Sequence, residues 1–131
     1  MSTSKAMLHC QGDIAPGRPT GMWLFTPSGF LSIVTDQHTP GNALVRARVH
    51  EDLEAFCGRT GAPLPLETPE RDYRFRTSVP FPVLAAELAQ QAAAIDYPNF
   101  KDAVAARQGY ERARRYGRIW SVMHELQEST P

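Results

Sequence analysis

Lysine is nearly missing from this chain: two lysines stand against twelve arginines in 131 residues, and fourteen acidic residues bring the formal charge to zero. That balance excludes the basic excess by which proteins of the nucleic-acid backbone are usually known. Cysteine is scarce too, and Cys10 and Cys57 are too few for a disulfide framework, which points to a reducing cytoplasm. No apolar run approaches the ~18 residues of a membrane span. The amino terminus lacks the basic region and apolar core of a signal peptide. His9, His38, His50 and His124 are scattered, with no Cys-x-x-Cys, His-x-x-x-His or carboxylate pair at metal spacing, so no metal ligand is assigned. Gly-x-Ser-x-Gly, the P-loop and Gly-x-Gly-x-x-Gly are all missing. Without a nucleophile and a base in reach, no catalytic residue or cofactor is nominated, and the expectation is a protein that binds rather than transforms.

What is present is ordinary globular material, 42% hydrophobic and 21% charged. A chain of this length fits one compact domain burying roughly two-thirds of its unfolded surface. Residues 1–20 show turn chemistry without period and read as a flexible leader, leaving a single domain over 21–131. Met22 to Phe25 and Phe30 to Thr35, joined by Thr26-Pro27-Ser28-Gly29, form a predicted hairpin. Ala43 to Val49 is a third strand with Val45/Ala47/Val49 on one side and Leu44/Arg46/Arg48 on the other. Glu51 and Asp52 open a short helix that Gly58 is expected to close. After a proline-rich connector, Pro63 to Pro69, a fourth strand alternates Tyr73, Phe75, Thr77 and Val79 with Arg74, Arg76 and Ser78. Pro82 introduces a helix reaching Ile95, and Asn99 caps a last helix that runs to about Gln127, broken or bent at Gly109. The fold class is α+β: a mainly antiparallel sheet of about four strands, helices packed on one face, and a long C-terminal helix.

The arginines fall into spaced sets. Arg46 with Arg48 and Arg74 with Arg76 each share one face of a strand, and Arg114 with Arg118 share one face of a helix. A guanidinium grips phosphate or carboxylate bidentately, so the pattern suits a concave site for a small anion. The plainer alternative is a solvated face, with Arg114 and Arg118 paired to Glu111 for a few tenths of a kcal/mol. Asn99 has two readings as well: a helix cap, with Asp102 completing the exchange, or an amide that recognises a base edge beside an aromatic ring. The two are compatible, because a helix amino terminus attracts phosphate. Phe100, Tyr97, Trp23 and Trp120 read as core residues, and Tyr116, Ile119, Trp120, Met123 and Leu126 as the apolar stripe of the last helix.

Three stretches together resemble a known family: Met22-Trp23-Leu24-Phe25 with Gly29-Phe30-Leu31-Ser32-Ile33-Val34, then Leu44-Val45-Arg46-Ala47-Arg48-Val49, then Tyr97-Pro98-Asn99-Phe100-Lys101 followed by the Arg/Tyr/Trp helix. Their order resembles small phage and prophage anti-Thoeris sponges, the first type of Tad protein, over about Met22 to Gln127. The resemblance implies a non-enzymatic protein of the host cytoplasm. It would sequester a cyclic ADP-ribose isomer made by bacterial TIR-domain defence proteins, in some members with separate sites for cyclic oligonucleotides. It implies homodimers that assemble into hexamers, with pockets between protomers. It assigns base recognition to Asn99 and Phe100, phosphate binding to Arg114 and Arg118, an anionic ligand to Arg46 and Arg48, and lesser parts to Asp102 and Lys101. The leader before Met22 departs from the pattern. Two other classes remain open, an inhibitor of a protein partner such as an anti-CRISPR, and a small nucleotide-processing enzyme.

Overall fold

The computed structural model of the chain describes residues 21–129; the expected leader lies outside them. Within them the fold is α+β, a five-stranded antiparallel sheet with four helices, the last one long. Strands β1 (Gly21–Thr26), β2 (Gly29–Thr35), β3 (Asn42–Ala47), β4 (Leu66–Glu67) and β5 (Phe75–Pro80) lie in the order β1-β2-β3-β5-β4. The fifth strand is the two-residue β4, inside the stretch expected to be a proline-rich connector. So short a strand has no alternation to read; it exists because Leu66 and Glu67 meet Arg76 and Phe75 across the edge.

Register sorts the side chains. Ile33 pairs with Val45 and Val45 with Thr77, while Ser32 pairs with Arg46 and Arg46 with Arg76. The first row faces α1 (His50–Thr60) and α2 (Phe81–Ala93), where Leu31, Ile33, Val45 and Val79 bury against Leu53, Phe56 and Leu84. Ala43 and Ala47, both fully buried, let the helices approach the strands closely. Each large aliphatic or aromatic side chain there contributes roughly 1.5–3 kcal/mol by leaving water.

Helix α1 runs through Gly58 and stops at Gly61, whose φ of 75° is left-handed and whose amide donates to the Cys57 carbonyl. Gly58 was the expected stop, but the left-handed turn falls three residues later, where a glycine relieves the Cβ penalty. Pro82 sits in the first turn of α2, where no backbone N–H is missed. Arg59 of α1 donates to Glu87 of α2, buried and also bonded by Gln91, which ties these helices together.

Helices α3 (Phe100–Gln108) and α4 (Tyr110–Ser129) are separated by Gly109 at φ 97° and ψ 166°, outside the helical region. They pack on each other and form a second, smaller core of Val104, Ala113 and Tyr116 against Phe25, Phe30 and Phe100. Phe25 and Phe30 oppose each other at the tip of the first hairpin, on the side of the sheet that also carries Ser32 and Arg46. Gln108 Nε2 donates to the Pro27 carbonyl at 2.7 Å, a second clasp on the same tip.

Candidate functional site

Asn99 and Gly109 create the site by starting α3 and ending it. Asn99 is extended, at φ −138° and ψ 117°, and its Oδ1 accepts the Asp102 amide at 2.9 Å, the helix cap expected from the sequence. The chain then turns back at Gly109, so the first turn of α3 lies beside the middle of α4. Between them is a cleft of about 690 Å³ lined by Asn99, Phe100 and Lys101 from α3, and by Arg114, Gly117, Arg118 and Trp120 among the residues of α4. That volume is in the range of small-molecule sites.

The cleft is cationic. Arg114 lies 3.8 Å from Glu111, an exposed pair in which Glu111 is shared with Arg115 at 3.4 Å. An exposed pair of that geometry fixes little of the guanidinium. Among the described residues, neither Lys101 nor Arg118 forms an ion pair. Gly117 leaves the helix backbone bare where Lys101 crosses it: a Cβ there would meet Lys101 Cε and Nζ at 3.7 Å. The α3 amino terminus adds partial positive charge. Asn99 Oδ1 keeps one lone pair beyond its cap, and its amide group adds donors.

Aromatic planes stand beside these charges. Phe100 stacks on Tyr116 at 5.9 Å and 2°, and Trp120 stacks on His124 at 5.0 Å and 10°. Trp120 is 66% exposed, and Trp23 on edge strand β1 is 68% exposed, so the expectation of two core tryptophans is corrected. From Arg118 to Ser129, α4 passes beyond the domain body, so Ile119, Met123 and Leu126 also face outward instead of forming a core stripe. Tyr116 is the one member of that expected stripe that is buried.

No family model, curated protein or solved structure matches the chain. What the site can bind is therefore argued from its own chemistry. Four of the sequence-nominated residues, Asn99, Phe100, Arg114 and Arg118, converge on the cleft, with Lys101. Asp102 serves through its backbone amide as the partner of the Asn99 cap. Arg46 on β3 and Arg48 just past its end, since the strand stops at Ala47 and not at the expected Val49, stand elsewhere, both guanidinium groups over the buried Tyr73 ring at 4.6 and 4.2 Å. Tyr73 therefore does not continue the Phe75/Thr77/Val79 side expected of it; it precedes β5 and turns among the arginines.

The strand arginines differ in how far they are neutralised. Arg74 meets Glu67 at 2.9 Å in the open, and Arg48 donates to the Asp72 carbonyl at 2.6 Å. Arg46 donates to the buried Ser32 hydroxyl at 2.7 Å, yet its Nε is buried without a partner. Arg76, directly opposite in register, has its pKa lowered by burial and then by the neighbouring Arg46 charge. A run of ring contacts joins this cationic strip to the cleft: Tyr73, Phe30, Phe25, Tyr116, Phe100.

Asp52 and Arg112 escaped the sequence reading. Asp52 Oδ2 accepts both the Phe30 amide at 3.0 Å and Arg112 Nη1 at 2.8 Å, joining α1, the first hairpin and α4. Burial opposes the Arg112 charge, but Asp52 and the Tyr116 hydroxyl hold its pKa above the ordinary value. The available signal was position: Arg112 is four residues before Tyr116, on the inward face of α4, where a charge needs a buried partner. Among the described residues, no group of three or more His, Cys, Asp or Glu side chains is placed to hold a metal ion, and no helix is long and apolar enough to cross a membrane.

Proposed function

We propose that the protein binds a cyclic nucleotide of the cyclic ADP-ribose type in the α3–α4 cleft and withholds it, unaltered, from the effector of a bacterial anti-phage defence. One observation carries the reading: Asn99, Phe100, Lys101, Arg114 and Arg118, named from separate stretches of sequence, line one cleft together with an exposed tryptophan. Each part suits a piece of such a ligand. Arg114, Arg118 and Lys101 face phosphates, where hydrogen bonds to charged groups contribute roughly 1.5–3 kcal/mol each. Trp120 offers a plane for a base, with stacking worth roughly 1–3 kcal/mol. Asn99 offers both an acceptor and donors to an adenine edge. Three or four such contacts approach the roughly 12 kcal/mol of a nanomolar complex when the site is preorganised.

In this reading the protein acts in the cytoplasm as a homodimer or hexamer. Arg46 and Arg48 form a second cationic set, suited to an anionic cyclic oligonucleotide. The test is recovery of the ligand: protein saturated with a cyclic ADP-ribose isomer, washed and heated, releases the same compound by mass spectrometry. A cleaved product assigns the site to a nucleotide-processing enzyme instead, and no uptake of any cyclic nucleotide in native mass spectrometry removes the reading.

A further inference from the structure

Lysine is the exception among the cations of this chain, and one of the two lysines stands in the cleft. Twelve arginines carry most of the positive charge beside Lys5 and Lys101, and Lys101 is the only lysine among the described residues. A guanidinium stays protonated and does not act as a nucleophile, whereas an ε-amine can lose its proton and be acylated. The position is also unfavourable for a simple cation, because Lys101 is the second residue of α3, where the helix amino terminus already carries partial positive charge. Its side chain is exposed and lies along the bare backbone of Gly117, with Cε and Nζ 3.7 Å from where a Cβ would stand. Gly117 falls between Arg114 and Arg118 along α4, and those two arginines share one face of the helix and line the same cleft. Glu111, exposed and 3.8 Å from Arg114, offsets their charge only weakly. The ε-amine is thus open to solvent, beside two guanidinium groups with affinity for phosphate.

We infer that Lys101 is a modification site: the cleft directs its own acylation by a small acyl phosphate, and the acylated lysine closes it to the nucleotide. Arg114 and Arg118 take the phosphate of the donor, which sets the acyl carbon beside the ε-amine, and the α3 amino terminus adds to the attraction. Holding donor and nucleophile in one cleft replaces a bimolecular step by one within a complex. The neutral Nζ attacks the acyl carbonyl carbon and an N–C bond forms. The C–O bond to phosphate breaks, and phosphate leaves with the electron pair. The proton released from nitrogen passes to water or to the phosphate, and nothing is oxidised or reduced. Charge that grows on the leaving phosphate is stabilised by the same two arginines. The product is a neutral amide, so a cation facing the nucleotide phosphates is lost and an acyl group fills ground that Gly117 leaves open. A bound nucleotide occupies the same arginines, so loading and modification exclude one another.

The regulatory effect rests on the cleft being the nucleotide site, but the chemistry of Lys101 is tested on the ligand-free full chain. The protein is treated with acetyl phosphate and, separately, with acetic anhydride, a donor that has no phosphate to guide it. Peptide mass spectrometry reads the ratio of acetylation at Lys101 to that at Lys5. The ratio is roughly tenfold or more higher with acetyl phosphate, and in Arg114→Ala with Arg118→Ala it falls to the anhydride value. Equal ratios with the two donors, or a preference that survives the double substitution, overturn the inference. Protein acetylated at Lys101 takes up a cyclic ADP-ribose isomer at least roughly tenfold more weakly, while treatment leaves the uptake of Lys101→Arg at its own starting value. Uptake indifferent to acetylation of Lys101 overturns the regulatory role. Selective acetylation in a protein that takes up no cyclic nucleotide would sink the sponge reading and leave the modification site standing; uptake without selective acetylation would do the reverse.

Discussion

Asp52 and Arg112 form an ion pair that joins α1, which packs in the main hydrophobic core, to α4, which packs in the second. Their 2.8 Å bond is buried at the carboxylate and nearly so at the guanidinium, with side-chain exposures of 5% and 19%. Removing one partner of such a pair leaves a charge without compensation, which costs about 3–5 kcal/mol. Asp52→Ala should therefore lower the urea-unfolding free energy by that order. Asp52→Ala with Arg112→Met should recover most of it, falling short by the ~1–3 kcal/mol of the Phe30 amide that still lacks its acceptor. A double mutant no more stable than Asp52→Ala would show that the pair is not the source of the loss.

Gly29 faces the same carboxylate. Its φ is 150°, and a Cβ there would lie 2.6 Å from Asp52 Cγ. Gly29→Ala should destabilise the protein by roughly 1–3 kcal/mol through strain and displacement of Asp52. Thermal melting checks this directly, and an unchanged melting temperature would contradict the close approach.

Arg114→Ala with Arg118→Ala should abolish nucleotide uptake in calorimetry while the melting temperature stays within a few degrees. Both side chains are exposed, and exposed substitutions move stability by only about 0.5 kcal/mol. Unchanged binding in the double mutant would remove the cleft from consideration.

Gly117→Leu should block the cleft from within. The glycine is a helix-interior residue that costs ~1 kcal/mol relative to alanine, so the variant should be no less stable than wild type. The new side chain would occupy the ground that Lys101 crosses, and uptake should fall at least as far as in the arginine double mutant. Full uptake by this variant would place the ligand elsewhere.

Tyr116 sets an alkaline limit. Burial raises its pKa above the usual 10, more than Arg112 lowers it. A folded value above the unfolded one favours the neutral phenol, so its contribution is complete below about pH 10 and is lost as pH rises through the higher folded value. Melting followed from pH 8 to 11 should show a steeper alkaline decline in wild type than in Tyr116→Phe. Parallel declines would assign the alkaline loss to another group.

The strands, the helices and the cap at Asn99 were legible because each depends on local chemistry: a β-rich run after a turn in β2, alternation in β3 and β5, alanine and leucine in α2, an asparagine before Phe100. Gly109 was expected to break or bend the last helix, and that break lets the chain reverse so that Asn99 comes to lie beside Arg114 and Arg118. What could not be read was set by distant partners. Trp120 carries an apolar pattern, yet α4 extends past the body it was expected to cover. Asp52 looks like any acid in a first helical turn until Arg112, sixty residues later, is brought against it. Edge strand β4 depends wholly on β5, and Tyr73 leaves its strand pattern to lie beneath two arginines.

The placement of the cleft has a consequence for how the molecule opens. All of its walls belong to α3 and α4, which are attached to the sheet through the Phe25–Phe30 tip, the Gln108 clasp and the Asp52–Arg112 pair. Such a unit can detach cooperatively at a lower free energy than the sheet. The amides of α3 and proximal α4 should then exchange with solvent together, ahead of those in β2 and β3. A ligand held between the two helices would travel with them, so it could survive an excursion that unseats the hairpin while the main core stays closed.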